Sequence, residues 1–438
     1  MALSGVENLA RLPELKKRLL WTFFLLAVYR IGIHIPVPGV DSTALADFFN
    51  NAQNTLFGLF DMFSGGGLKN LSIFALGIMP YISASIIIQL LNVVSPELKR
   101  LSTEEGAEGR KKITQYTRYG TVLITVVQGL GIAIGLESMA SPTGAPVVLA
   151  AGWSFRLVTI ITLTAGTVFL MWLGEQMTER GIGNGISLII FGGIVARLPS
   201  ALGNTFRLIS AGELSLFVLL LVLVIMVAAL AFIVFMERGQ RRIPIHYAKR
   251  MMGRRMMGGQ TQHLPLKVNT AGVIPPIFAS SILMFPATIA SFSSVSWLQA
   301  VSGFLHPGSL VYNVLFVGII IFFCYFYTAI IFDPKGISEN IQKQGGFIPG
   351  IRPGAKTREY IDRVLSRITL WGAFYISAIC VLPMLLISQF KVPFYFGGTA
   401  VLIVVGVAMD FMSQIESYMI SRQYEGLMGK GSKLKGRR

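Results

Sequence analysis

The sequence predicts an all-α polytopic membrane protein whose ten transmembrane helices form two inverted five-helix halves. Three observations lead there. The 438 residues are 53% hydrophobic and only 13% charged, with a mean hydropathy of +0.64, whereas a soluble domain of this size carries about 25% charged residues. Apolar stretches of roughly 18 to 24 residues recur along the chain, each long enough to cross a hydrocarbon core of ~30 Å. Backbone groups in lipid must be bonded within their own segment, so such stretches are helices; barrel strands would be shorter and would alternate. The third observation is where the cations fall.

The spans are expected near 19–36, 72–94, 114–136, 153–174, 184–203, 214–236, 269–291, 310–332, 368–388 and 394–414. Lys16, Lys17 and Arg18 precede the apolar run from Leu19 to Val28, as in a signal peptide. No small-residue cleavage site follows, and Arg30, Pro36 and Pro38 come next, so this run reads as the first span. The N-terminus, alternate loops and the C-terminal tail hold 32 of the 38 Lys and Arg. Arg30, Lys69, Arg156, Arg197, Arg207 and Lys391 are the remainder. By the positive-inside rule both termini are expected in the cytoplasm, and the net charge of +17 belongs almost wholly to one face.

The expected organisation is a cytoplasmic N-terminus at 1–18, an N-terminal half at 19–203, a hinge loop at 204–213, a C-terminal half at 214–414 and a cytoplasmic tail at 415–438. Two long cytoplasmic loops, 237–267 and 333–367, interrupt the second half. Because five is odd, the second half enters the membrane from the opposite side, the inverted-repeat arrangement. Span 2 reads Gly77-Ile-Met-Pro80-Tyr-Ile82-Ser-Ala84-Ser85, and its counterpart, span 7, reads Gly272-Val-Ile-Pro275-Pro-Ile277-Phe-Ala279-Ser280. Five of these nine positions are identical. Small-residue helix packing also favours Gly, Ala and Ser. Interrupted segments at matching places in two halves, however, point to a site at the repeat interface.

Absences narrow the function. The middles of the spans are almost free of Asp, Glu, Lys, Arg and His, the residues of ion and proton relays. Glu175, Glu179 and Asp410 lie toward cytoplasmic ends, and Arg156 and Arg197 toward outer ends. A carbonyl filter is not apparent. No phosphate-binding loop is present: Gly429-Lys430-Gly431-Ser432 lacks the spacing and the preceding strand. No catalytic residue set, metal site or cofactor motif is expected. Cys324 and Cys380 sit in apolar stretches and read as packing residues. His34, His246, His263 and His306 fall in loops or near interfaces. A passive channel and a carrier of uncharged solutes both remain open on these residues; an intramembrane enzyme lacks a nucleophile.

The loop at 237–267 contains Arg238, Arg241, Arg242, Lys249, Arg250, Arg254 and Arg255, and the loop at 333–367 places Arg352 in Gly350-Ile-Arg352-Pro353-Gly354. Positive-inside bias and attraction to anionic lipids account for many of these charges. Loops of this length with Gly and Pro turns also suit ordered projections that would dock phosphate-rich RNA or an acidic protein face.

Several motifs resemble the SecY family. They are Asp61-Met-Phe-Ser-Gly-Gly-Gly67, Leu71 to Leu91, Gln115-Tyr-Thr-Arg-Tyr-Gly120, Met171 to Ile186, Glu237-Arg-Gly-Gln-Arg-Arg242, His263-Leu-Pro-Leu-Lys-Val-Asn269, Phe347 to Gly354 and Lys391-Val-Pro-Phe-Tyr-Phe-Gly-Gly-Thr399. They run from the first span to the last in family order. The resemblance implies two halves that open around a central hourglass pore, hinged between spans 5 and 6, with a lateral gate between spans 2 and 7. It implies a plug near 59–71, including Asp61, Met62, Phe63, Ser64 and Gly65. Polar gate positions would be Ser85, Gln89 and Asn92 on span 2, and Asn269, Ser280 and Ser281 near span 7.

By the same resemblance, the pore ring would be Ile78, Ile82, Ile186, Ile190, Ile277 and Ile403. Ile82 and Ile277 each follow the aligned proline by two residues, and Ile190 and Ile403 each follow a glycine (Gly185, Gly398) by five. Branched apolar walls grip a passing polypeptide nowhere specifically, and a narrow dry constriction resists ions by dewetting. With no ATP site, the driving force is expected from partners: a SecA motor or a ribosome docked at Arg250, Arg254, Arg255 and Arg352, the latter through ribosomal RNA. SecE and SecG are the implied membrane partners in a heterotrimer, preproteins with their signal sequences the implied cargo, and the bacterial inner membrane the implied location. Pro244 and the doubled Pro275-Pro276 depart from the family's usual pattern, which puts the kink of span 7 in question.

Overall fold

The computed structural model describes residues 13–41, 45, 61, 64–103, 106–138, 147–148, 150–212, 215–247, 250–252, 255–257, 261–291, 309–390 and 398–431. A helix lies on each of the ten expected spans. These are α1 (Pro13–Gly32), α2 (Met79–Val94), α4 (Gly106–Ser138), α5 (Trp153–Arg180), α6 (Gly185–Val195), α8 (Leu216–Arg238), α9 (Ile274–Ser291), α10 (Leu310–Ile331), α12 (Ala355–Phe390) and α13 (Gly398–Gly431). Shorter helices α3 (Pro96–Thr103), α7 (Leu198–Ser210) and α11 (Pro334–Lys343) lie between them. Among the described residues, six helices are long and apolar enough to cross a membrane by themselves, and those of spans 2, 5 and 7 are shorter apolar helices.

The chain divides into two compact units. The first comprises 1–204, 281–307 and 407–438; the second comprises 205–280 and 308–406. In the first, α1 buries Thr22, Leu25, Tyr29 and Gly32 along one helical stripe. Phe74 stacks on Tyr29 and on Phe169 of α5, with centroids 6.2 and 5.9 Å apart. In the second, α10 turns Tyr312, Phe316, Ile320 and Phe323 inward, and Phe278 of α9 meets Phe323 edge-on at 5.5 Å.

Spans 2 and 7 differ from expectation at their starts. Both helices begin late, at Met79 and Ile274 rather than near 72 and 269, and for one reason. Gly77 and Gly272 take positive φ values of 56° and 64°, a conformation that costs glycine little. A proline follows at the second helical position of each, where its missing N–H is one that the first turn leaves unbonded anyway. Span 5 is shorter than expected too: α6 ends at Val195, and α7 occupies most of the expected hinge loop at 204–213. The last helix runs on to Gly431, well into the expected tail.

The repeat extends to backbone packing. A Cβ on Gly166 of α5 would overlap the carbonyl oxygen of Ile73, and one on Gly372 of α12 would crowd that of Val268. Ile73 and Val268 stand four residues before Gly77 and Gly272 respectively. Further along, Gly185 opens α6 against the carbonyl of Gly174 in α5, and Gly398 opens α13 against that of Ile379 in α12. Small residues let membrane helices approach this closely, and each unit uses them at equivalent places.

The loops add sheets that hydrophobic periodicity did not signal. Strand β1 (Gln240–Tyr247) pairs antiparallel with β4 (Thr261–Lys267), from Gln240↔Lys267 to His246↔Thr261. Between them, β2 (Arg250–Met252) pairs with β3 (Arg255–Met257). From the other long loop, β5 (Gly346–Phe347) joins β1 at His246 and Tyr247 only. One edge of β1 therefore stays open at Pro244, which has no N–H to donate; this proline hid the strand from a sequence reading. Ile243, Ile245 and Leu266 share a core with Ile341, Ile348, Ile361, Val364 and Leu365, so the loops 237–267 and 333–367 build one module.

Gly185→Ala and Gly398→Ala are expected to lower stability by about 1–3 kcal/mol through overpacking, read as an earlier thermal unfolding midpoint in detergent. Gly131→Ala and Gly318→Ala, where a Cβ meets nothing within 4 Å, should be neutral or slightly stabilising.

Candidate functional site

In the first unit, Ile78 is the N-cap residue of α2 and Ile82 follows one turn later, its N–H bonded to the Ile78 carbonyl at 3.1 Å. Ile186 and Ile190 are the second and sixth residues of α6. Asn184 caps that helix, its Oδ1 accepting from the N–H groups of Ile186 and Ser187 at 3.1 and 3.4 Å. Ile186 is half-buried, and Ile78, Ile82 and Ile190 are buried. In the second unit, Ile277 lies in the first turn of α9 and Ile403 is the sixth residue of α13; both are buried. Ile82 and Ile277 are thus the fourth residues of α2 and α9, and Ile190 and Ile403 the sixth residues of α6 and α13.

Ser85, Gln89 and Asn92 line one face of α2. Gln89 Nε2 donates to Ser85 Oγ at 3.1 Å, while Gln89 Oε1 and Asn92 Oδ1 are buried with no hydrogen-bond partner. Asn269 is buried, and its Nδ2 donates to Glu237 Oε1 at the end of α8 and to the carbonyl of Gly272. It thereby braces the turn that starts α9. Ser280 Oγ donates to the carbonyl of Ile277 at 2.9 Å. The chain passes from the second unit to the first between Ser280 and Ser281, and Ser281 Oγ lies 3.9 Å from Met79 Sδ at the start of α2.

The segment preceding α2 is tied down by its backbone. The N–H of Gly66 bonds the carbonyl of Asp61, and those of Leu68 and Lys69 bond Ser64 Oγ and Asp61 Oδ1 at 3.2 and 2.8 Å. Tyr29 Oη donates to the carbonyl of Ser64 and Arg30 Nη1 to that of Gly65. Asp61 Oδ2 pairs with Arg197 Nη2 at 2.7 Å. Met62 and Phe63 lie outside the described residues. Sequence reading placed Arg30 and Arg197 only as cations left over from the cytoplasmic face. That surplus was itself the signal: a cation near the end of a span calls for a partner, and the last acid before span 2 is Asp61.

Arg250 and Arg255 stand in β2 and β3, and Arg254 lies outside the described residues. Arg352 is exposed at the turn between β5 and α12, where its carbonyl accepts from Thr357 Oγ1 at 3.0 Å. Strand β1 turns Ile243 and Ile245 inward and exposes Arg241 and Arg242, so the module presents cations on a framed surface. Between α4 and α5, Arg118 Nε and Nη2 grip the two oxygens of Glu175 at 3.0 and 2.7 Å.

The SecY family model matches residues 72–412. The SecY translocase subunit of Escherichia coli is 54% identical over 97% of this chain and 96% of its own length. That of Pseudomonas aeruginosa is 53% identical over 99% and 97%, and that of Aquifex aeolicus 46% identical over 96% and 98%. Among solved structures, a protein-conducting channel superimposes with a TM-score of 0.65 at 17% identity, covering 95% of this chain and 97% of that one. Sec61 in a canine ribosome–channel complex superimposes with a TM-score of 0.61 at 16% identity over 95% and 97%. With half its residues shared along almost its whole length, and the paired broken helices that the motifs led one to expect, the chain belongs to the SecY family.

Proposed function

We propose that the chain is the central subunit of a protein-conducting channel of the bacterial inner membrane. It passes unfolded preproteins across the membrane and releases membrane-spanning segments sideways into lipid. It is a passive conduit and not an enzyme. The observation that carries this reading is the pair of short apolar helices, α2 and α9, each started by a left-handed glycine and a proline. They place Ile82 and Ile277 at the same position, the fourth residue, of their own helices. With Ile78, Ile186, Ile190 and Ile403 they form the constriction. Isoleucine offers no hydrogen bond to the cargo's backbone and dewets when the cargo is absent.

The segment at 59–71 is the plug. Ser85, Gln89, Asn92, Asn269, Ser280 and Ser281 line the lateral gate. Buried amide oxygens without partners on Gln89 and Asn92 support that role, because an unsatisfied polar group destabilises the closed seam and favours exchange of partners. Both termini and the sheet module face the cytoplasm, by the positive-inside bias. There the exposed cations of the module, with Arg250, Arg254, Arg255 and Arg352, receive the SecA motor or the ribosomal RNA of a translating ribosome. SecE and SecG complete the membrane complex, and anionic lipids bind the same basic face.

Reconstituted with SecE, SecG and SecA in proteoliposomes, the chain should import a preprotein only when ATP is supplied; no import where a known translocon works would refute the channel reading. Ile82→Gly combined with Ile277→Gly should make the resting channel conduct ions in a planar bilayer, and unchanged conductance would remove these two from the constriction. Arg352→Glu should slow motor-driven import about tenfold or more, as expected for losing a charged contact of an interface. Its circular dichroism and thermal midpoint should not change, since the side chain is exposed; normal import rates would take Arg352 out of the docking surface.

A further inference from the structure

Asp61, in the segment read as the plug, is paired with Arg197, which the ring, plug and gate readings leave unassigned, and the pair's geometry is specific. Asp61 is almost fully buried, its side chain 4% exposed, and Arg197 is 25% exposed. Arg197 stands at the break between α6 and α7, immediately after the C-cap Ala196. Asp61 Oδ2 takes the guanidinium at 2.7 Å while Oδ1 accepts the N–H of Lys69 at 2.8 Å. One carboxylate therefore both closes the loop from 61 to 69 on itself and ties that loop to the end of α6.

The loop also sits flush on α6. A Cβ on Gly65 would come within 2.9 Å of Gly193 Cα and 2.7 Å of Tyr29 Oη. Gly193 is one helical turn beyond Ile190. Two other ties to a neighbouring helix, from Tyr29 and Arg30, go to backbone carbonyls, which are weaker partners than an ion pair. If Arg197 is removed, Asp61 is left buried and uncompensated, a far larger penalty than the pair's own net stabilisation.

We infer that the Asp61–Arg197 ion pair is the latch of the plug: it holds the loop from 61 to 69 against the end of α6 and sets how often the resting channel opens. The inference rests on the reading of 59–71 as the plug. For the loop to leave, the pair must separate into water or into the opened funnel. Any cargo that shifts α6 acts on the loop through Arg197, since no flexible linker intervenes between that residue and the helix. The latch thus couples movement of a pore helix to release of the loop.

The test uses the complete complex with SecE and SecG. Asp61→Asn keeps an oxygen for the Lys69 N–H and loses only the charge, and Arg197→Ala removes the other partner. Each should raise resting conductance in a planar bilayer about tenfold or more, and the exchange Asp61→Arg with Arg197→Asp should bring it back toward the parent level. A second readout does not depend on conductance. Ser64 is wholly buried, so Ser64→Cys should react slowly with a membrane-impermeant maleimide in the parent and faster in either variant. Deletion of residues 64–67 sets the conductance of an unplugged channel. If the deletion conducts while both charge variants match the parent in conductance and labelling, the latch is overturned and the plug reading stands. If neither the deletion nor the variants conduct, both are overturned.

Discussion

Everything in this fold answers one constraint: a backbone N–H or C=O removed from water must find a partner within the protein. Continuous helices meet it by themselves. The breaks do not, and they decide the architecture. Before α2, the N–H groups of Gly66, Gly67, Leu71, Ser72, Ile73, Ala75 and Gly77 all find backbone carbonyls. Those of Leu68, Lys69 and Phe74 find Ser64, Asp61 and Ser72 side chains. Between α5 and α6, Ile182 donates to Thr22 of α1, Gly183 to Gln414 of α13 and Gly185 to Thr178 of α5. The first and last helices are thereby fastened to the same connection, an arrangement reinforced by Arg18, which donates to Tyr418 Oη at 3.0 Å and lies over its ring.

A break in a membrane helix is tolerated only where neighbouring chain comes close enough to supply partners. That explains why glycine recurs at equivalent contacts in the two units. Gly166 and Gly372 admit the carbonyls that precede the broken helices, and Gly185 and Gly398 admit the carbonyls of α5 and α12. In each case a methyl group would occupy the space that the oxygen fills. The inverted repeat is thus preserved as a set of close approaches, which are stricter than the apolar composition around them.

The same logic separates the apolar spans from the sheet module of the two long loops. The module satisfies its backbone groups across a ladder, and a sheet edge can be left open where water reaches it. It can therefore use strands, a proline in β1 and a separate core of eight buried residues.

The sequence by itself determined the spans and the motif pair Gly77–Ser85 and Gly272–Ser280. Span length, charge placement and local glycine-proline chemistry are properties of contiguous residues. It also carried the family, because eight motifs in order survive without any coordinates. The tertiary structure alone decided where α2, α6 and α9 begin and end, since a helix stops where a foreign carbonyl or side chain can take over its bonds. It decided that two loops form one sheet, since β5 and β1 lie far apart in the chain and Pro244 masks the alternation between Ile243 and Ile245. And it decided the partner of Asp61. From the sequence, Arg197 was a stray cation near the end of a span; only the fold brings a buried carboxylate within 2.7 Å of it, because ion pairing depends on distance in space and not on separation along the chain.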